Sequence, residues 1–129
     1  MSIGKSIYYL LSNSANVSGI VSTKIYPLRV PQIKDFPAIS YQQIANTPTD
    51  QKDAVSGFDR IDVDINLWSK SYDQINTLAG YVRTALDRQS ISSQGLTVNT
   101  IVFVREFDDF SDPAEIYHKV LQFKFIVIR

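Results

Sequence analysis

The chain has 129 residues, a length that suits one domain with a single hydrophobic core. Its 13 basic and 13 acidic residues cancel, whereas a protein that tracks phosphates carries a basic excess, so the balance argues against nucleic acid as a partner. The absence of cysteine excludes disulfides, thiolate metal sites and a cysteine nucleophile.

The N-terminal sequence has no pattern of a secretion signal or a membrane span. Its early apolar run, IYYLL, is shorter than a signal peptide requires, and no small-residue cleavage site follows it. No segment approaches the roughly 20 apolar residues that cross a bilayer. We therefore expect a soluble protein that stays in a cytoplasm and has no membrane partner.

The chain begins with a predicted amphipathic helix. Apolar residues occupy one helical face at Ile3, Ile7, Leu10 and Leu11. Ser2 can cap this helix, and a short helical turn is expected over 15–21. Segment 24–32 then carries two prolines, which cannot donate to a sheet ladder, so it predicts an edge strand or an extended arm.

The middle of the chain predicts two strands and a second helix. Residues 36–44 are rich in β-branched and aromatic residues, and residues 58–68 alternate between apolar and polar side chains. Between them, the polar stretch of about 45–57 predicts a long, flexible surface loop. Ser71, three residues before Gln74, forms a capping box that opens a helix ending near residue 87.

Two further strands are expected at the end of the chain, over 97–107 and 117–128. The acidic link 108–113 between them predicts a turn. The last strand is apolar on both faces, with Leu121, Phe123, Phe125 and Val127 on one side and Ile116, Val120, Ile126 and Ile128 on the other. Such a strand is either central in a covered sheet or buried by another chain.

These elements predict a single α+β domain over 1–129. Its sheet should be mostly antiparallel, with about four to five strands and two main helices packed on one face. Two helices cannot cover the second face, so a partner subunit is a reasonable hypothesis for part of it. The zero net charge permits self-association because copies repel one another little.

The stretch 62–73, DVDINLWSKSYD, has part of the spacing of a calcium loop. Position 6 of such a loop must be glycine and position 12 a bidentate glutamate, but the chain has Leu67 and Asp73. In a strand, Asp62 and Asp64 lie in line about 7 Å apart instead of converging on an ion. We interpret the row of Asp62, Asp64 and Asn66 as the solvent side of a strand.

Other lookalikes of functional motifs have simpler interpretations. Residues 4–6, Gly-Lys-Ser, end like a phosphate-binding loop but lack its first glycine and its preceding strand, so they fit a helical turn. His118 has no predicted catalytic partner, and the aspartates of 108–112 suit turn chemistry. We therefore predict no enzyme activity, no cofactor and no metal.

The order and spacing of several segments resemble those of the tail completion (tail-terminator) proteins of long-tailed bacteriophages. The most specific segments are Ile25-Tyr26-Pro27, Phe36-Pro37, and the strand Val63–Trp68 that leads through Ser71-Tyr72 into the helix. The resemblance covers nearly the whole chain, and the last thirty residues match only as two strands.

This resemblance implies a structural virion protein. It would form a homo-oligomeric ring, typically hexameric, that caps the tail tube and joins the tail to the head connector, with assembly in the host cytoplasm. The loop of about 45–57 would then contact the tube or the connector. The residues expected at oligomer or tube contacts are Pro48, Asp50, Lys52, Asp62, Asp64, Trp68, Phe110, Lys124, Ile126 and Ile128.

Two other classes stay open at this point. One is a different phage neck or contractile-injection subunit, since small subunits of this kind share an architecture. The other is a small ligand-binding or enzymatic α+β domain, which an apolar pocket with convergent polar groups would support.

Overall fold

The structure, a computed structural model, describes residues 3–22, 24–28, 36–48, 57–92, 97–111 and 116–128, and of residues 110 and 111 the backbone alone. Its elements in chain order are α1 (Ile3–Ser12), α2 (Ala15–Val21), β1 (Ile25–Pro27), β2 (Ala38–Pro48), β3 (Phe58–Ser69), α3 (Tyr72–Leu86), β4 (Thr97–Ser111) and β5 (Ile116–Ile128). Of the described helices, none has the length and apolar character to cross a membrane.

The five strands form one sheet in the order β1-β2-β3-β5-β4. β1 pairs with β2 in parallel, and the other three pairings are antiparallel. The prediction of a single, mostly antiparallel α+β domain is therefore confirmed. β5 lies between β3 and β4, and this central position explains why its sequence is apolar on both faces.

The hydrophobic core lies between the helices and one face of the sheet. Alternate residues of β3 and β5 point into it, as their periodicity predicts. The helices contribute one apolar stripe each. The core side chains of these elements include Ile61, Val63, Ile65 and Leu67 from β3, Leu121, Phe123, Phe125 and Val127 from β5, Ile75, Leu78, Val82 and Leu86 from α3, and Ile3, Ile7 and Leu11 from α1.

The predicted turn over 15–21 is a complete short helix, α2, so the described residues form three helices: the two main ones that were predicted and this short one. The Ser14 hydroxyl caps α2 by accepting a hydrogen bond from the backbone N–H of Val17 at 3.4 Å. Val17 and Val21 are buried in the core, which gives this short helix the tertiary packing it needs. Ser2, the predicted cap of α1, lies outside the described residues.

Gly4 has a packing role, which explains the glycine in the Gly-Lys-Ser sequence at 4–6 without a phosphate-binding loop. A Cβ atom at this position would lie 2.8 Å from Cε2 of Tyr41, well inside van der Waals contact. Glycine therefore lets α1 approach the Tyr41 ring on β2. The sequence 4–6 lies inside a helix, as expected from its apolar periodicity.

The predicted loop of about 45–57 is wrong at its start. β2 continues to Pro48, with Thr47 paired to Arg60 and Pro48 to Asp59. Asn46, Thr47 and Pro48 are exposed, so this end of the strand has no apolar alternation that periodicity could detect. Residues 49–56 lie outside the described part of the chain.

The predicted turn over 108–113 is also wrong for its first four residues. β4 continues through Ser111, and Asp108 pairs with Lys119 and Asp109 with His118 across the ladder. The aspartates are accommodated in a strand because basic or ring-nitrogen side chains face them from β5. Residues 112–115 lie outside the described part of the chain.

The predicted cap of α3 is confirmed, with a modification. The Ser71 hydroxyl accepts a hydrogen bond from the Gln74 backbone N–H at 3.3 Å. The Gln74 side chain, however, accepts from the hydroxyl of Ser69 at 2.7 Å, and Ser69 in turn accepts from the Ser71 backbone N–H at 3.1 Å. The buried Ser69 hydroxyl thus links the end of β3 to the start of α3.

Replacing Ser71 with alanine is expected to lower the free energy of unfolding by about 1 kcal/mol, because a first-turn backbone N–H loses its acceptor. Thermal unfolding followed by circular dichroism should show a melting temperature lower by roughly 4 °C. Ser71→Asp keeps an acceptor at the cap and is the matched control. Equal losses in both variants would contradict a capping role.

Candidate functional site: the outer face of the sheet

We call the side of the sheet opposite the helices the outer face. The odd-numbered residues of β3 pack with the helices, so its even-numbered residues and their partners on β5 point the other way. No described helix packs on this side. Its β3 and β5 residues are Phe58, Arg60, Asp62, Asp64, Asn66, Trp68, His118, Val120, Gln122, Lys124, Ile126 and Ile128.

One end of the outer face is apolar. Phe58 on β3 pairs with Ile128, the last residue of β5, and Ile126 lies between Arg60 and Thr100 on the neighbouring strands. Ile128 is 42% exposed, and Phe58 and Ile126 are partly buried. This end of the outer face is therefore hydrophobic and partly exposed to solvent.

The middle of the outer face is polar, and both of its aspartates have side-chain partners. Asp62 lies opposite Lys124 in the ladder and forms an ion pair with Arg60 at 3.4 Å. Burial raises the pKa of Asp64, and a hydrogen bond from Gln122 partly offsets this effect.

These carboxylates run along a strand, as the sequence predicts, and do not converge on a point. Within the described ranges, no group of three or more His, Asp or Glu residues is arranged to hold a metal ion. The calcium-like spacing of 62–73 is thus explained by a strand followed by a capped helix.

The other end of the outer face carries a stacked aromatic pair. The rings of Trp68 and His118 lie parallel, with centroids 3.9 Å apart and an interplanar angle of 6°. His118 Nε2 is 2.8 Å from Asn66 Oδ1, and His118 Nδ1 is 3.6 Å from a carboxylate oxygen of Asp109. The Trp68 indole N–H donates to the Ser40 hydroxyl at 3.1 Å.

Sequence patterns could not predict these partners of His118, because they come from β3 and from the far end of β4. Burial is the main influence on the histidine and lowers its pKa, and the Asp109 carboxylate partly opposes that effect. Burial thus favours the neutral form of the imidazole. Among the described residues, its polar side-chain contacts are the Asn66 amide oxygen and the Asp109 carboxylate.

The stacked pair predicts a spectroscopic titration, since the chain has one tryptophan and one histidine. Trp68 emission should fall as the pH drops, because a protonated imidazole quenches a stacked indole, with a midpoint below the ordinary histidine value of about 6.5. His118→Gln should abolish the transition while leaving the circular dichroism spectrum unchanged. A midpoint above about 6.5 would contradict the burial of the neutral ring.

A cavity of about 300 Å³ opens beside this pair, between the start of α3, the end of β4 and the start of β5. It is lined by Tyr72, Ile75, Asp108, Asp109, Tyr117 and His118. Asp108 is already engaged there, because it accepts from Lys119 at 2.6 Å and from the Tyr72 hydroxyl at 3.0 Å. The cavity is partly open to solvent, and its lining combines apolar surface from Tyr72, Ile75 and Tyr117 with the polar groups of Asp108, Asp109 and His118.

Comparison with known proteins gives the family. The family model described as "Tail completion protein gp17" matches residues 5–128 of this chain. The chain belongs to the tail completion protein gp17 family. It is accordingly a structural protein of a phage tail, a component of the virion, and the resemblance inferred from the sequence is confirmed.

The fold of this tail completion protein has a counterpart among solved structures. A chain of the structure described as "Virion of native gene transfer agent (GTA) particle" matches 99% of this chain and 96% of its own length, with a TM-score of 0.79 and 17% identity. At that identity the likeness concerns the fold. A sequence search of curated proteins finds no match.

The outer face of the tail completion protein brings together six of the ten residues predicted at interfaces: Asp62, Asp64, Trp68, Lys124, Ile126 and Ile128. Pro48 instead ends β2, and Phe110 belongs to β4, where the backbone alone is described. Asp50 and Lys52 lie outside the described residues. Asn66 and His118, which are not among the ten, lie on the same face, as the period-two alternation predicts, and Arg105 on β4 donates a hydrogen bond to Gln122 on this face.

Proposed function

We propose that this tail completion protein forms a closed homo-oligomeric ring, a hexamer, on the end of the phage tail tube. The ring ends tail assembly in the host cytoplasm and joins the tail to the head connector. The observation that carries the proposal is the family match, which runs over residues 5–128 and so includes nearly all the elements of the domain.

The shape of the domain supports the proposal. A closed ring needs two different surfaces on each subunit for its neighbours, and further surfaces for the tube and the connector. The helices cover one face of the sheet, and the outer face remains available, with an apolar end at Ile126 and Ile128 and a polar middle at Asp62 and Lys124. We assign contact with the tube or with neighbouring subunits to this face.

Native mass spectrometry and negative-stain electron microscopy of the purified protein, with and without isolated tail tubes, test the proposal. Tubes with added protein should carry a ring at one end, and the mass of the released ring should be six times the subunit mass. A protein that stays monomeric and ignores tubes at high concentration would refute the ring.

Joining is tested separately, by mixing filled heads with tails made without this protein. Adding the purified protein should restore joined particles, counted by microscopy and by infectivity. Rings on tubes with no joined particles would refute the joining role and favour a part of the tail end that acts before joining.

A matched pair of variants tests the outer face. Ile128 and Tyr9 are each 42% exposed, but Ile128 lies on the outer face and Tyr9 on α1. Ile128→Lys should weaken tube binding at least tenfold, whereas Tyr9→Lys should leave it within about twofold. A larger loss of tube binding in Tyr9→Lys than in Ile128→Lys would assign the tube contact to the side of the domain that carries the helices.

A further inference from the structure

Among the described residues, the backbone of each sheet edge is hydrogen-bonded to other chain segments along one half and has no neighbouring strand along the other half. At the β2 edge, β1 pairs with residues 39–41, and the Leu28 backbone N–H donates to the Tyr41 carbonyl at 2.8 Å. Beyond Tyr41, no described strand lies beside Gln42–Pro48 on the side away from β3. We call residues 42–48 the open β2 edge.

At the other edge, the chain after α3 closes the first half of β4. Ile91 and Val98 exchange backbone hydrogen bonds at 3.0 and 2.6 Å, and the Arg88 N–H donates to the Ile101 carbonyl at 2.7 Å. The Phe103 N–H donates to the Asp87 side chain at 3.1 Å. Beyond Phe103, no described strand lies beside residues 104–108 on the side away from β5. We call residues 104–108 the open β4 edge.

Both open edges carry an exposed apolar residue at a bulge. The β2 ladder shifts between Gln43 and Ala45, which leaves Ile44 as the extra residue, 52% exposed. The β4 ladder shifts between Phe103 and Arg105, which leaves Val104, 54% exposed. Sheets that remain single usually protect such edges with charged side chains; 42–47 holds no charge, whereas 104–108 holds Arg105, Glu106 and Asp108.

We infer that the open β4 edge of one copy pairs with the open β2 edge of the next. The inference rests on the proposed ring and names its subunit contact. Successive antiparallel pairings from β2 through β3 and β5 to β4 make β2 and β4 run in opposite directions. A second copy in the same orientation therefore meets the β4 edge with an antiparallel strand, and the contact repeats from copy to copy.

The occupant is a second copy because one chain presents both halves of the contact. A foreign strand would use a single edge and would leave the other apolar bulge exposed to water. The net charge of zero adds little repulsion between copies. Main-chain hydrogen bonds supply the affinity of strand addition, and Ile44 and Phe107, 44% exposed, supply apolar contact.

The pairing implies a stagger between subunits. The centre of the open β2 edge, Ala45, pairs with Asp62 on β3. The centre of the open β4 edge, Glu106, pairs with Leu121 on β5, which pairs in turn with Ile65 on β3. Neighbouring copies are thus offset by about three residues, roughly 10 Å along the strands. A ring with this offset closes when the strands tilt against the ring axis, as in a barrel.

Cysteine cross-linking tests the contact cleanly, since the natural chain has no cysteine. When Ala45 of one copy lies opposite Glu106 of the next, residue 44 lies opposite residue 107. The Cα atoms of two residues that face each other across an antiparallel pair are about 4.5–5.5 Å apart, a distance that suits a disulfide. Oxidised rings of Ile44→Cys/Phe107→Cys should give a ladder of covalent oligomers up to the full ring. A bis-maleimide of about 10 Å reach detects the same contact if the alignment differs by one or two residues.

The controls separate this contact from others. Tyr8→Cys/Phe107→Cys, with its first cysteine on α1, should stay unlinked. A mixture of the two single variants, Ile44→Cys and Phe107→Cys, should stop at dimers because each copy has one reactive edge. Dimers from a single variant alone would reveal a contact between identical edges and overturn the inference.

Hydrogen exchange of the wild-type protein gives a result that does not depend on the variants. Amides in 42–47 and 104–108 should exchange at least tenfold more slowly in the ring than in the monomer. Rings without this protection and without cross-links would overturn the edge contact and leave the ring itself intact. Failure of the wild-type protein to assemble, with or without tubes, would overturn both.

Discussion

Replacing Phe125 with alanine is expected to lower the free energy of unfolding by about 3–5 kcal/mol. The side chain is fully buried in the central strand β5, with Ile61 opposite it on β3 and Ile101 opposite it on β4. Truncation loses the burial of the ring and leaves a cavity that three paired strands cannot close. A domain of this size has a total stability of about 5–15 kcal/mol, so this loss is a substantial fraction of the total.

Chemical denaturation followed by circular dichroism measures this loss, with Ile126→Ala as the matched control. Ile126 is the next residue of the same strand but points to the outer face, where it is partly exposed. It should lose well under half as much stability, and its main effect should be on assembly. Similar losses in both variants would contradict the division of β5 into a core side and an outer side.

Asp108→Asn is expected to destabilise the domain by about 1–2 kcal/mol at pH 7, because it weakens the main partner of a buried charge. The Lys119 side chain is 9% exposed and its ammonium group lies 2.6 Å from Asp108 Oδ1 but 3.9 Å from Glu106. The Asp108 side chain is 50% exposed, and solvent screening keeps the expected loss below that of a fully buried pair.

The same pair gives a pH dependence of known sign. The hydrogen bond from Lys119, with a further one from Tyr72, lowers the pKa of Asp108. The stabilisation that the Asp108 carboxylate contributes is therefore fully present above its pKa in the unfolded chain, about 3.9. It is lost as the pH falls toward the lowered pKa of the folded state. The difference between wild type and Asp108→Asn should shrink below about pH 4.

A double-mutant cycle isolates this interaction. Lys119→Met removes the buried charge, so adding Asp108→Asn to it should cost much less than Asp108→Asn costs alone. Unfolding free energies of the four proteins at pH 7 provide the coupling energy. Additive losses would show that Asp108 and Lys119 act independently, in contradiction to their contact.

Several features of this protein followed from its sequence alone. Strict alternation in 61–67 and 121–127 determined the strands and their core sides, because a period of two fits only a pleated strand with one buried face. Ser71 and the apolar stripe after it determined α3. The spacing of segments also determined the family, although no single segment carries a catalytic signature.

Strand ends were less predictable, because polar residues at the end of a strand show no alternation of apolar and polar side chains. β2 reaches Pro48 and β4 reaches Ser111 because ladder hydrogen bonds to β3 and β5 hold them, and no local pattern encodes those bonds. The same reason applies to His118, whose neighbours Asn66, Trp68 and Asp109 are distant in the sequence.

Tertiary structure alone decided which surfaces the tail completion protein offers. Insertion of β5 between β3 and β4 brings Asp62 against Lys124 and Trp68 against His118, and thereby turns separate polar residues into one outer face. It also makes β4 an edge strand, half of which the chain after α3 closes. The local sequence determines which side of a strand is apolar, whereas the strand order determines which edges stay open, because pairing joins residues far apart in the chain.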